Sequence, residues 1–202
     1  MVDRDASDST INIARFALSE AQQALEALRS DTSMLATIAA AGKALADAMA
    51  NGNRVFSCGN GGSMCDAMHF AEELSGRFRS DRPPLAAQAI SDVGHMSCVA
   101  NDFGYAEVFS RYIAAHGRPG DVLLAISTSG ASPSILMAVE AAKARGMWTI
   151  GLTGKADGKL ARQANQVICT PGGRYADRVQ ELHIKVIHIL IEIVERHLGY
   201  AK

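Results

Sequence analysis

Two loops in this chain carry residue types suited to binding a phosphate group. Cys58-Gly59-Asn60-Gly61-Gly62-Ser63 and Ser127-Thr128-Ser129-Gly130-Ala131-Ser132 each follow a short apolar run and precede a helical pattern. Glycines let the backbone approach an anion with its N–H groups turned inward, hydroxyls add donors, and the following helix presents its positive end. Taken alone, Gly-Asn-Gly-Gly is equally a tight strand-to-helix turn. In the second loop Ser132 suits an N-cap and Pro133 the first helical position, so capping accounts for one hydroxyl. Ser127, Thr128 and Ser129 remain, more hydroxyls than a cap needs. Neither loop continues into Gly-Lys-Ser/Thr or contains Gly-x-Gly-x-x-Gly, so no nucleotide cofactor is expected.

A second group of residues could move protons or hold a metal. His69 and Glu73 interrupt the Ala/Met/Phe-rich segment Asp66–Leu74. Four apart, they share one helical face, a spacing that suits a divalent cation or an acid/base pair and equally a hydrogen-bonded pair on a solvated face. Their helix starts at the first loop, which favours chemistry. Gln180, His183 and His188 interrupt a long apolar segment near the C-terminus, where burial demands partners for them. Gln180 and His188 are eight residues apart, about 80° around a helix, so both can address one site from successive turns.

The elements that must position these groups read as α/β. Ser9 to Leu28 and Ser33 to Ala50 carry apolar residues at helical spacing. Strand candidates follow at Arg54–Cys58, Ala86–Ile90, Val122–Ile126, Trp148–Leu152 and Gln166–Cys169. They alternate with helical patterns near Ser63–Leu74, Val93–Asn101, Ala106–Ala115, Ser132–Arg145 and Lys159–Ala164. This alternation predicts a doubly wound parallel five-stranded sheet flanked by helices, with both loops at the carboxyl ends of strands, where such sheets bind ligands. The last pattern, Tyr175–Leu198, is so rich in Val, Leu and Ile that it reads as apolar all round. That predicts burial by other copies of the chain, with the N-terminal helices joining an oligomeric bundle. One domain over residues 1–202 is expected: helices to residue 52, an α/β core over 53–170 and the bundle helix over 175–198.

Composition narrows the function further. With 202 residues, 48% of them hydrophobic, the chain can bury a substantial core. A net charge of −1 gives no electrostatic footprint for nucleic acid or an anionic membrane. The four cysteines, Cys58, Cys65, Cys98 and Cys169, form no Cys-x-x-Cys pair and read as reduced thiols of a cytoplasmic protein. Met1–Asp5 is polar and acidic, unlike a signal peptide, and no apolar run reaches membrane-spanning length.

With Ala100-Asn101-Asp102-Phe103-Gly104 and Gln180-Glu181-Leu182-His183-Ile184-Lys185-Val186-Ile187-His188, these stretches closely resemble the bacterial phosphoheptose isomerases of the SIS (sugar isomerase) fold. The likeness runs from about Ala24 to Glu195. It implies a homotetrameric cytoplasmic enzyme converting sedoheptulose 7-phosphate to D-glycero-D-manno-heptose 7-phosphate, the first step toward the activated heptoses of lipopolysaccharide core or related glycans. It assigns substrate contacts to Asn60, Gly61, Gly62, Ser63, Asn101, Asp102, Ser127, Thr128, Ser129, Ser132 and Gln180. It assigns zinc to His69, Glu73, Gln180 and His188, with Glu73 and His188 also the catalytic pair. Met64, where close relatives carry histidine, removes one polar group near the pocket and bears on substrate specificity. Two other readings stay open: a non-catalytic SIS protein acting as sugar-phosphate-binding regulator or scaffold, and an isomerase of another ketose phosphate.

Overall fold

Short runs of β-branched and aliphatic residues become strands with both faces covered. In the computed structural model, which describes residues 10–173 and 175–201, five of them form one parallel sheet. Met1–Asp5 and the expected helix start at Ser9 lie outside the described residues. The strands are β1 (Val55–Gly59), β2 (Ala87–Ala89), β3 (Val122–Ser127), β4 (Trp148–Thr153) and β5 (Gln166–Cys169), in the order β2-β1-β3-β4-β5. All pairings are parallel, with Val55 beside Val122 and Val122 beside Trp148. The chain leaves β1 toward β2 on one side and enters β3 on the other. The loops after β1 and β3 therefore emerge together at the switch point, where open α/β sheets form their crevice.

Helices α1 (Thr10–Ser30), α2 (Thr32–Ala50), α3 (Gly62–Ser75) and α8 (Ala176–His197) pack on one face. On the other lie α4 (Val93–Phe103), α5 (Val108–His116) with the short 3-10 turn Tyr105–Glu107 before it, α6 (Pro133–Ala144) and α7 (Lys159–Gln163). Strand β3 shows why its run is continuously apolar. Val122, Leu124 and Ile126 point into the first layer while Leu123 and Ala125 point into the second.

The structure corrects the reading of the last helix. Val179, Leu182, Val186, Ile187, Leu190, Ile191 and Val194 form a buried face, and half-buried Ile184, Ile189 and Ile193 pack against the same core. Glu181, Lys185, Arg196 and His197 stand exposed. Helix α8 is thus amphipathic, and its apolar surface is covered by its own chain. Counting apolar residues hid the polar stripe, because these residues recur at helical spacing. Gly42 lets α2 approach closely: a Cβ there would stand 2.6 Å from Ile193 Cγ2.

Candidate active site

The loop after β1 has a backbone that admits little besides glycine. Gly61 sits at φ 55° and ψ −123°, a region L side chains rarely enter. A Cβ on Gly59 would stand 2.2 Å from the Ser63 carbonyl oxygen. Asn60 ties this loop to its neighbours. Its Nδ2 donates to Ser134 Oγ (3.0 Å) in the first turn of α6, and its Oδ1 accepts from Tyr105 Oη (3.0 Å). Ser63 is buried, its N–H donating to the Asn60 carbonyl (3.1 Å). The Gln180 amide packs on Gly62, where a Cβ would lie 2.6 Å from Nε2.

The loop after β3 departs from expectation at one residue. Ser132 occupies the N-cap position of α6, but its hydroxyl makes no capping bond. It faces Ser127 Oγ at 3.3 Å instead, leaving two hydroxyls side by side. Ser129 Oγ accepts from the Ala131 N–H at 3.3 Å, and Gly130 takes φ 61°. A cavity of about 160 Å³ opens here, lined by Thr128, Ser129, Gly154, Lys155, Gly172 and Ala176 among others. Three loop segments thus converge on the first turn of α8, and Lys155 adds a cation. Neither Asn60–Ser63 nor Ser127 and Ser132 line this cavity; of the two hydroxyl-rich loops only Thr128 and Ser129 open on it. Nothing local distinguishes Lys155 in sequence. Its place follows from β4 lying next to β3, with Thr153 beside Ser127.

The ionisable groups meet between α3 and α8. His69 Nε2 lies 2.9 Å from His188 Nε2 and 3.6 Å from Glu73 Oε1, while His69 Nδ1 lies 3.0 Å from Glu72 Oε1. His69 is therefore the centre of the group, and Glu72 belongs to it although spacing pointed only to Glu73. The side chain of Glu73 is mostly buried, at 18% exposure, against 66% for Glu72, so Glu73 is the better shielded carboxylate. The Phe78 ring lies over His188 at 5.7 Å between centroids. Burial, aided by the proximity of His69 and the positive charges of Lys185 and Arg79, lowers the His188 pKa and favours neutral imidazole. Asn101 and Asp102 lie exposed at the end of α4, bonded to each other (2.8 Å), with Cys98 Sγ donating to Asp102 at 3.6 Å. They make no bond to either loop among the described residues. Tyr105, a little further along, makes that link.

His69 and Glu73 offer imidazole nitrogen and carboxylate oxygen at one place, a donor set that zinc accepts, and His188 adjoins it at His69 Nε2. Among the described residues, His69, Glu72 and Glu73 have ligand atoms within 4.8 Å of one another.

A parallel sheet with a hydroxyl-rich loop at its switch point, and an imidazole–carboxylate group between two helices on one face, is the architecture of an α/β ligand-binding protein. Residues 18–154 match the family model for the SIS domain. The phosphoheptose isomerase of Aeromonas hydrophila is 58% identical over 187 residues, covering 93% of this chain and 97% of that one. The structure of a phosphoheptose isomerase from Francisella tularensis is similar with TM-score 0.86 and 33% identity, covering 93% of this chain and 99% of that one. That of the Neisseria gonorrhoeae phosphoheptose isomerase gives 0.83 and 35%, covering 93% and 100%. The chain belongs to the phosphoheptose isomerase family.

Proposed function

We propose that this chain isomerises sedoheptulose 7-phosphate to D-glycero-D-manno-heptose 7-phosphate. The observation that carries the reading is the approach of His69 to Glu73 and to His188 across α3 and α8, on a fold whose loop after β3 opens Thr128 and Ser129 on a cavity shared with Lys155. Ketose-to-aldose isomerisation through a cis-enediol removes a proton from C1, returns one to C2, and moves a proton between the two oxygens. Glu73, shielded from bulk water, is assigned the carbon-bound proton. His188 is assigned the oxygens: as a neutral imidazole it donates to O2 while the enediol forms and recovers a proton from O1 as the aldehyde forms. Ser127, Thr128, Ser129 and Ser132, with Lys155, bind the phosphate and use its distance from C1 and C2 to orient the reacting end. Asn60, Gly61, Gly62, Ser63, Asn101, Asp102 and Gln180 are assigned to the sugar chain.

His69, Glu73, Gln180 and His188 are the residues that would hold zinc. When bound, the ion supplies Lewis-acid polarisation of the carbonyl, overlapping with what His188 does by donating a proton.

A homotetramer is part of the proposal. Helix α1 exposes Ile11, Leu18 and Leu25 at seven-residue spacing, with Leu18 72% exposed. Such a stripe suits docking against another helix. The cytoplasm is the proposed compartment, in keeping with four free cysteines, and no helix among the described residues is long and apolar enough to cross a membrane. The product would enter the synthesis of activated heptoses for lipopolysaccharide core or related glycans.

The test is an assay of purified protein with sedoheptulose 7-phosphate beside five- and six-carbon ketose phosphates, with and without chelator. Conversion of the seven-carbon substrate in clear preference is expected. Preference for a shorter ketose would reassign the substrate, and turnover of none would leave a sugar-phosphate-binding protein.

A further inference from the structure

Helices α3 and α8 run parallel and are tied at three levels. Gln180 packs on Gly62 at the start, His69 meets His188 in the middle, and Arg82 joins the end of α3 to Glu195. The third tie lies outside the site and involves no side chain assigned above. Helix α3 ends without the glycine cap that would satisfy its last carbonyls, since Gly76 takes φ −93° rather than a left-handed conformation. Arg82, from the loop between α3 and β2, bonds those carbonyls instead. Its Nη2 donates to Glu73 O (2.7 Å), and its Nη1 donates to Leu74 O (2.7 Å), Gly76 O (3.2 Å) and Pro83 O (3.1 Å). The third guanidinium nitrogen, Nε, donates to Glu195 Oε1 at 2.8 Å. Both side chains are essentially sealed, at 1% and 3% exposure.

A buried ion pair is a costly way to finish a helix, because both charges leave water, whereas a left-handed glycine does the same without charge. What the guanidinium adds is a rigid planar fork joining the backbone of Glu73 to α8. Glu195 lies about two turns beyond His188, at roughly 1.5 Å of rise per residue. We propose that Arg82, with Glu195, is a positioning residue for the isomerisation. It sets the axial register of α3 against α8, and with it the separation of the Glu73 carboxylate from the His188 ring, without touching substrate.

The inference rests on the roles proposed for Glu73 and His188. Its test measures kcat, KM and the number of binding sites in the full-length enzyme, using sedoheptulose 7-phosphate for turnover and a non-isomerising polyol phosphate for calorimetric site counting. Arg82→Lys keeps the charge but loses the fork, and Glu195→Gln keeps the shape and an acceptor. Turnover per counted site should fall roughly 10-fold to 100-fold in Arg82→Lys, the scale of a sub-ångström to 1 Å misplacement. In Glu195→Gln it should fall several-fold, with KM within about twofold in each, since the phosphate loop is untouched. Counting sites separates misplacement from partial unfolding, and Glu195→Gln carries the test if Arg82→Lys fails to fold. Wild-type turnover per site in either folded variant overturns the clamp. Glu73→Gln in the same series separates the two claims. If it is inactive beside a fully active Arg82→Lys, only the clamp fails. If Glu73→Gln itself is fully active, the proposed roles fail and the clamp with them.

Discussion

Ser132 holds a position where serine ordinarily spends its hydroxyl on a helix cap, yet here the hydroxyl turns toward Ser127. The two hydroxyls bond each other at 3.3 Å, a long contact that a phosphate oxygen would displace or share on binding. If these hydroxyls hold phosphate as proposed, alike in ground and transition states, Ser127→Ala/Ser129→Ala should raise KM about 10-fold or more while kcat changes little, each bond to a charged group being worth about 1.5–3 kcal/mol. An unchanged KM in steady-state kinetics would return the loop to a purely structural turn. Residue types and spacing made Asn60, Ser127–Ser129, His69 and Glu73 candidates in sequence, because glycine-rich turns and i,i+4 pairs are local signals, whereas His188 stood out only as a polar residue in an apolar segment. Lys155, Glu72 and Arg82 were not candidates. Their significance depends on which strand neighbours which and where a helix end falls, and neither is written in nearby residues.

The helices and strands were readable to within a few residues, since each carries its own period and stop signals. Gln166–Cys169 agrees with its expected bounds, and β3 extends only one residue past them, to Ser127. Helix α8 is where the reading failed: its composition suggested an all-round apolar surface, and only angular placement reveals the exposed Glu181, Lys185 and Arg196. Its burial within the chain also encloses His183, which is fully buried. Burial, offset in small part by the backbone of Thr153, pushes its pKa down to about 4. The unfolded chain takes up this proton below about pH 6.5 and the folded chain only near pH 4, so this residue removes stability as pH falls through that window. Denaturant titrations at pH 7 and pH 5 should show His183→Met losing about 2 kcal/mol less than wild type over that interval. Equal losses in the two proteins would contradict the buried, neutral imidazole.

For the whole molecule, the sheet order places the β1 and β3 loops side by side at the switch point, and the α3/α8 pair carries the ionisable groups along one face of the same sheet. For the proposed assembly the exposed stripe on α1 is the surface on offer, since the apolar face of α8 is covered within the chain. Leu18→Asp should shift the oligomer toward smaller species in size-exclusion chromatography with light scattering while leaving the fold intact, because Leu18 is exposed within its own chain. An unchanged mass would place the interface elsewhere. Proton transfer by Glu73 is the central proposed step, and it is tested by the rate of aldose formation from sedoheptulose 7-phosphate in wild type and Glu73→Gln, with substrate binding checked in both. Turnover by wild type, a loss of roughly 10²-fold to 10⁴-fold in the variant, and retained binding are expected. Glu73→Gln keeping more than half the wild-type rate would contradict this step.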